Sequence, residues 1–140
     1  MNAEQPAIGT ELTAPPYLLD DAAAEDYRRG IKEAPRRRRQ NIHTDRNAAA
    51  KAGFAAPIAA GEHTIAVAMQ LLVDRFGERF LRGGAFEVVL IKPVLFGDTI
   101  VAHARVNRID GDAIDLAIWV DKQSGARVLD GTARVRASNP

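Results

Sequence analysis

The sequence predicts an α+β fold in which one long apolar helix is covered by a curved antiparallel sheet. Two observations lead there. Residues 62–76 carry Ile65, Met69, Leu72, Val73 and Phe76 at helical spacing, with Ala66, Val67, Ala68 and Leu71 on the other faces, so this helix is apolar nearly all round. The chain after it alternates with strand period and is punctuated by glycine turns. A helix with several apolar faces has to be wrapped, since those faces would otherwise remain in water, and the second half supplies the wrapping.

The elements follow in order. Residues 1–16 read as a frayed start with a short strand around Ile8 to Leu12, ended by Pro15 and Pro16. Asp20 or Asp21 caps a helix through Ala22 to Ile31, weakened by Gly30 and ended by Pro35. A loop with the run Arg36 to Arg39 comes next. Asp45 caps a short helix, Arg46 to Ala52, and Gly53 stops it. The long helix then spans about Glu62 to Phe76.

Four strands complete the chain: Phe86 to Lys92, Thr99 to Arg108, Ala113 to Lys122 and Val128 to Ala137. In the second, Ile100, Ala102, Ala104 and Val106 oppose Thr99, His103, Arg105 and Asn107; in the third, Ile114, Leu116, Ile118 and Val120 oppose Asp115 and Asp121. Asp110-Gly111 and Ser124-Gly125 are hairpin turns, so consecutive strands pair antiparallel. A buried helix inside such a sheet is the arrangement called a hotdog, and 140 residues suit a single domain of it spanning residues 1–140.

Composition narrows the function. With 46% apolar and 26% charged residues, neither disorder nor a membrane protein is expected. The N-terminus lacks the basic flank and apolar run of a secretory signal, so a cytoplasmic location is the expectation. The chain has no cysteine, which excludes disulfides and thiolate nucleophiles. Its three histidines are too far apart for a metal-ligand motif, and no cofactor is called for. The formal charge of +1 conceals only the Arg36–Arg39 run, which reads as a solvated face or a contact for an anion such as a CoA phosphate. It has no interleaved aromatics on which bases could stack, so nucleic acid is not the expected partner.

The segment NIHTDRNAAAKAGFAAPIAAG, residues 41–61, closely resembles the hydratase signature of MaoC-like proteins. Downstream, IKPVLFGDTIVAHARV and SGARVLDGTARVRA resemble the same family's strand, Gly-Asp turn and closing hairpin. The resemblance implies a hydratase or dehydratase, a hydro-lyase, acting on an acyl-CoA or acyl carrier protein thioester, normally as a homodimer or higher homo-oligomer. In that family an Asp and a His work on water and on the α-proton while a backbone N–H at the helix start holds the thioester oxygen.

Carried over by position, the His is His43 and the glycine is Gly61, eighteen residues downstream. The Asp falls on Arg38, the Asn on Gln40 and the Pro on Asn41. Arginine has no accessible neutral form and cannot act as the base. Arg38, Gln40 and Asn41 are therefore expected to bind substrate, Arg38 as a clamp for a carboxylate, with Phe54, Pro57 and Ile58 shaping the pocket mouth. Glu62 beside Gly61 offers a second route, activation of water for thioester hydrolysis as in hotdog thioesterases. A non-catalytic acyl-binding or partner subunit is the third. Asp45 is expected to cap rather than catalyse, His63 and His103 to face solvent or an interface, and Trp119 to be half-exposed or interfacial.

Overall fold

The computed structural model describes residues 5–30 and 41–140. Two short strands, β1 (Glu11–Thr13) and β2 (Tyr17–Leu19), precede helix α1 (Asp21–Gly30). Then come α2 (Arg46–Lys51), the long α3 (Gly61–Phe76), the single-turn α4 (Glu78–Leu81) and strands β3 (Ala85–Leu90), β4 (Asp98–Asp110), β5 (Ala113–Lys122) and β6 (Arg127–Arg136). The strands make one antiparallel sheet in the order β1-β4-β5-β6-β3, with β2 also on β4.

The long strands obey the alternation. Ile100, Ala102, Ala104 and Val106 of β4 and Ile114, Leu116, Ile118 and Val120 of β5 are all buried, while their neighbours in sequence face outward. In β6 two adjacent residues, Val128 and Leu129, are both fully buried. The register shifts between Val120 and Asp121 on the facing strand, so a bulge turns the extra residue inward. Gly131 lets β3 approach: a Cβ there would strike the Glu87 carbonyl and the Val88 backbone. The turn at Gly111, with φ 57°, joins β4 to β5.

The N-terminal segment differs from the sequence expectation. The strand expected from Ile8 lies at Glu11–Thr13, because Gly9 enters a left-handed turn in which Thr10 N–H donates to the Ala7 carbonyl. A second strand, β2, was not expected. Proline has no N–H for a ladder, so Pro15 and Pro16 interrupt the edge strand and it resumes at Tyr17, one half pairing with Ala104 and its neighbours and the other with Thr99. Asp20 then caps α1, accepting from Ala23 N–H at 2.9 Å.

Helix α3 lays Thr64, Ala68, Leu71, Leu72 and Phe76 against the inner face of the sheet, joined there by Phe80 of α4. It is not covered all round. Ile65, Ala66, Val67 and Val73 are half-buried, and Met69, Gln70, Asp74 and Arg75 are exposed. The curved sheet wraps the helix on its Ala68, Leu72 and Phe76 side, as expected for this fold, and leaves the side around Met69 open. No helix among the described residues is long and apolar enough to cross a membrane.

Candidate active site

The His43 turn is built by Asn41. The Asn41 side-chain oxygen accepts from His43 N–H at 2.8 Å, and its carbonyl accepts from Thr44 at 3.1 Å and Asp45 at 2.9 Å. Asp45 then caps α2 through Ala48 N–H at 2.8 Å. The helix ends at Gly53, whose φ of 89° suits a residue without Cβ. Ile58 N–H donates to the Ile42 carbonyl at 3.0 Å, and Ile58 bridges to Leu95.

This pinning fixes His43. Its Nδ1 lies 2.9 Å from the Ile58 carbonyl oxygen. A carbonyl only accepts, so Nδ1 carries the proton and Nε2 keeps its lone pair. Three residues after Ile58 the chain enters α3 at Gly61. The first turn of a helix offers N–H groups without intrahelical partners, at the positive end of the dipole. No side chain caps this end, since the preceding residue is Ala60. A Cβ on Gly61 would come 2.6 Å from Leu90 Cδ1, so glycine also admits β3 to the start of the helix.

A cleft of about 230 Å³ joins these parts, lined by Asn41, His43 and Thr44 on one side, Ala60, Glu62 and His63 on another, and Tyr27, Arg28 and Phe96 around the rim. The structure thus brings together His43, Asn41, Glu62 and the residue before Gly61. Asn41 spends its side-chain oxygen on the turn. Phe54, Pro57 and Ile58 lie in the segment behind the His43 turn rather than among the lining residues. Arg38 and Gln40 lie outside the described residues.

His63 departs from the solvent or interface position expected of it and packs inside the chain. It is only 4% exposed, because two tyrosines from separate elements close on it. The Tyr17 hydroxyl lies 2.9 Å from its Nε2, and the Tyr27 ring stacks on it at 4.5 Å with planes 6° apart. Burial lowers the His63 pKa, and burial followed by the charges of Asp20 and Asp26 raises that of Tyr17. His63 and Tyr27 also wall a second cleft of about 360 Å³, between Ala14 to Tyr17 and Ala66, Val67, Gln70, Leu71 and Asp74. A signal for this burial existed in the sequence: His63 stands eight residues before Leu71 on one helical stripe.

His103 is remote, on the outer face of the sheet, with Nδ1 3.2 Å from Thr13 Oγ1 and its ring stacked on Trp119 at 5.4 Å. Among the described residues no cluster of three or more His, Cys, Asp or Glu is placed to hold a metal ion.

Residues 37–117 match the sequence profile of the MaoC like domain. No curated protein matches the chain by sequence. Among solved structures, an unliganded R-hydratase from Pseudomonas aeruginosa superposes with a TM-score of 0.77 at 17% identity, covering 96% of this chain and 83% of its own. The (R)-hydratase of A. caviae involved in PHA biosynthesis gives 0.70 at 21% identity, with 99% and 100% covered. A double-hotdog protein from Mycobacterium tuberculosis gives 0.74 at 16% identity over 96% of this chain and 43% of its own. The fold is a hotdog.

Proposed function

The chain belongs to the MaoC-like dehydratase family, and on that premise we propose that it is a hydro-lyase. It adds water across, or removes it from, the carbon–carbon double bond beside the carbonyl of an acyl thioester. His43 is the acid/base and the Gly61 N–H is the oxyanion donor. Taking a proton from the carbon next to a carbonyl builds enolate charge on the oxygen, and the uncapped start of α3 offers donors and a favourable dipole for it.

The observation that carries this reading is the His43 hydrogen bond to the Ile58 carbonyl. It fixes one tautomer and leaves Nε2 as the nitrogen able to exchange a proton in the cleft shared with Ala60 and Glu62. The two R-hydratases compared above share this chain's fold, in keeping with this class. Substrate thioesters on CoA or on a carrier protein fit alike, and the 140 residues act as one domain. The test is hydration of a panel of trans-2-enoyl thioesters by the wild type and by His43→Ala. Turnover by the first and not the second supports the reading; a panel left untouched by the wild type sinks it.

Glu62 favours one second reading, since it lines the same cleft in the first turn of α3. Thioester hydrolysis through Glu62 would release free thiol, and Glu62→Gln would stop it while His43→Ala would not. The assembly we infer is a homodimer through β3. Among the described residues that strand is the end of the sheet, and it leaves Val89 and Leu90 exposed, as is Ile91 just beyond it. Leu90 also reaches Gly61, which places the edge beside the cleft.

A further inference from the structure

Hydration beside a carbonyl moves two protons: one leaves the attacking water, the other arrives at the α-carbon. His43 has a single nitrogen for this traffic, since Nδ1 is committed to Ile58. The acid expected five positions earlier is Arg38, which holds its proton at any working pH. A second station has to be sought among the groups that share the cleft.

His63 is the one built for it. A polar ring on the buried stripe of a helix is costly unless its atoms are satisfied, yet this position spends two tyrosines on holding it. Its Nε2 is bonded to Tyr17 Oη. Nδ1 has no such bond, and no buried side-chain nitrogen or oxygen among the described residues lacks a partner, so Nδ1 is accessible from the clefts that His63 lines, one of which it shares with His43. Glu62, by contrast, is exposed and free to swing into water.

We propose that His63 is the second proton-transfer group of this cleft, acting across the bound acyl thioester from His43, with Tyr17 as its positioning residue. The inference rests on the hydro-lyase reading. In hydration, Nε2–H of His63 donates to the Tyr17 oxygen and the Nδ1 lone pair takes a proton from water. The water oxygen bonds to the β-carbon as the double-bond pair moves toward the carbonyl, giving an enolate at the start of α3. His43, which enters the step with a proton taken from solvent on Nε2, then gives that proton to the α-carbon. One water is added, His63 gains one proton and His43 loses one, and exchange with solvent resets the pair. Dehydration is the reverse.

Burial lowers the His63 pKa and so favours the neutral form that a base needs. The titratable groups that face it are Tyr17, Tyr27, Arg28, His43 and Glu62 around the two clefts, with Asp74 at the far wall of the second. His63 must be neutral to accept the proton of water, so kcat/KM for hydration should fall toward acid along a limb set by His63.

The test measures kcat and KM for enoyl-thioester hydration between about pH 5 and pH 9 in the wild type, His43→Ala, His63→Gln and Tyr17→Phe. Glutamine keeps a polar group in reach of Tyr17 but cannot exchange a proton. His63→Gln should lower kcat by about 10²- to 10⁴-fold, change KM by less than about threefold, and erase the acidic limb. Tyr17→Phe should lower kcat about tenfold and displace that limb. Wild-type kcat and an unchanged profile in His63→Gln, with activity lost in His43→Ala, would overturn the proposal and leave the hydro-lyase reading standing. No hydration by the wild type overturns both. Should His63→Gln fail to fold, ring-¹⁵N histidine spectra of the wild type decide instead: a saturated acyl thioester should shift the His63 Nδ1 resonance as well as that of His43, and an unmoved His63 signal refutes the proposal.

Discussion

His43 donates from Nδ1 to the carbonyl of Ile58 at 2.9 Å, and Ile58 donates in turn to the carbonyl of Ile42 at 3.0 Å. The turn that carries the imidazole and the segment that leads into α3 are therefore locked to each other from both sides. The chemistry of His43 and the position of the helix start are one structural unit. A change that frees the ring should uncouple activity from stability.

His43→Asn tests that separation. The asparagine amide can still donate to Ile58, but nothing replaces Nε2. Hydration kcat should fall by about 10²- to 10⁴-fold, while the melting temperature stays within about 4 °C of the wild type. A large drop in melting temperature measured by circular dichroism would instead make the ring a structural element of the turn.

Asp45, two residues on, has the complementary role. Its carboxylate caps α2 through Ala48 N–H. Asp45→Ala should cost about 0.5–2 kcal/mol of stability by urea unfolding and leave KM little changed. Catalytic loss far beyond the loss of folded protein would contradict a purely capping role.

The ends of this local structure were legible because they depend on single residue types. Asp20, Asp45 and Gly53 cap or stop helices where side-chain oxygens or a missing Cβ demanded it. The strands were legible because one face of each is core. What could not be seen depends on distant partners. The helical spacing of His63 to Leu71 hinted at burial, but nothing near Tyr17 in sequence reveals that its hydroxyl meets His63, forty-six residues away, and so a histidine beside a glutamate at a helix start reads as facing solvent or an interface. The hydrogen bond of His43 to Ile58 was hidden for the same reason, since it depends on how the chain folds back after Gly53. The apolar pattern of α3 made the wrapped helix legible, but not which of its faces the sheet of one chain covers.

The buried His63 also makes stability depend on pH. Burial lowers its pKa in the folded state, whereas in the unfolded chain it titrates near about 6.5. Between the folded value and about 6.5 the unfolded state binds the extra proton. Stability from this group is therefore complete above about 6.5 and falls as pH drops through that window. Urea midpoints measured across it should decline toward acid in the wild type and decline less in His63→Gln. Equal slopes would mean that another group governs the acid side.

The open edge of the sheet gives the last expectation. Val89 is 63% exposed and Ile91 50% exposed, and among the described residues β3 has a neighbour, β6, on one side only. Unpaired N–H and C=O groups along an apolar edge favour strand addition from another chain. A second copy supplies the same edge, so the pairing closes on itself about a two-fold axis. Val89→Lys with Ile91→Lys places like charges where the two copies would meet, without touching the core. Sedimentation should then show the wild type at twice the chain mass and the variant at the chain mass, and the variant should lose hydration activity if the edge beside Gly61 is completed by the partner. A variant that still sediments as a dimer would move the interface to another surface, such as the half-covered side of α3 around Met69.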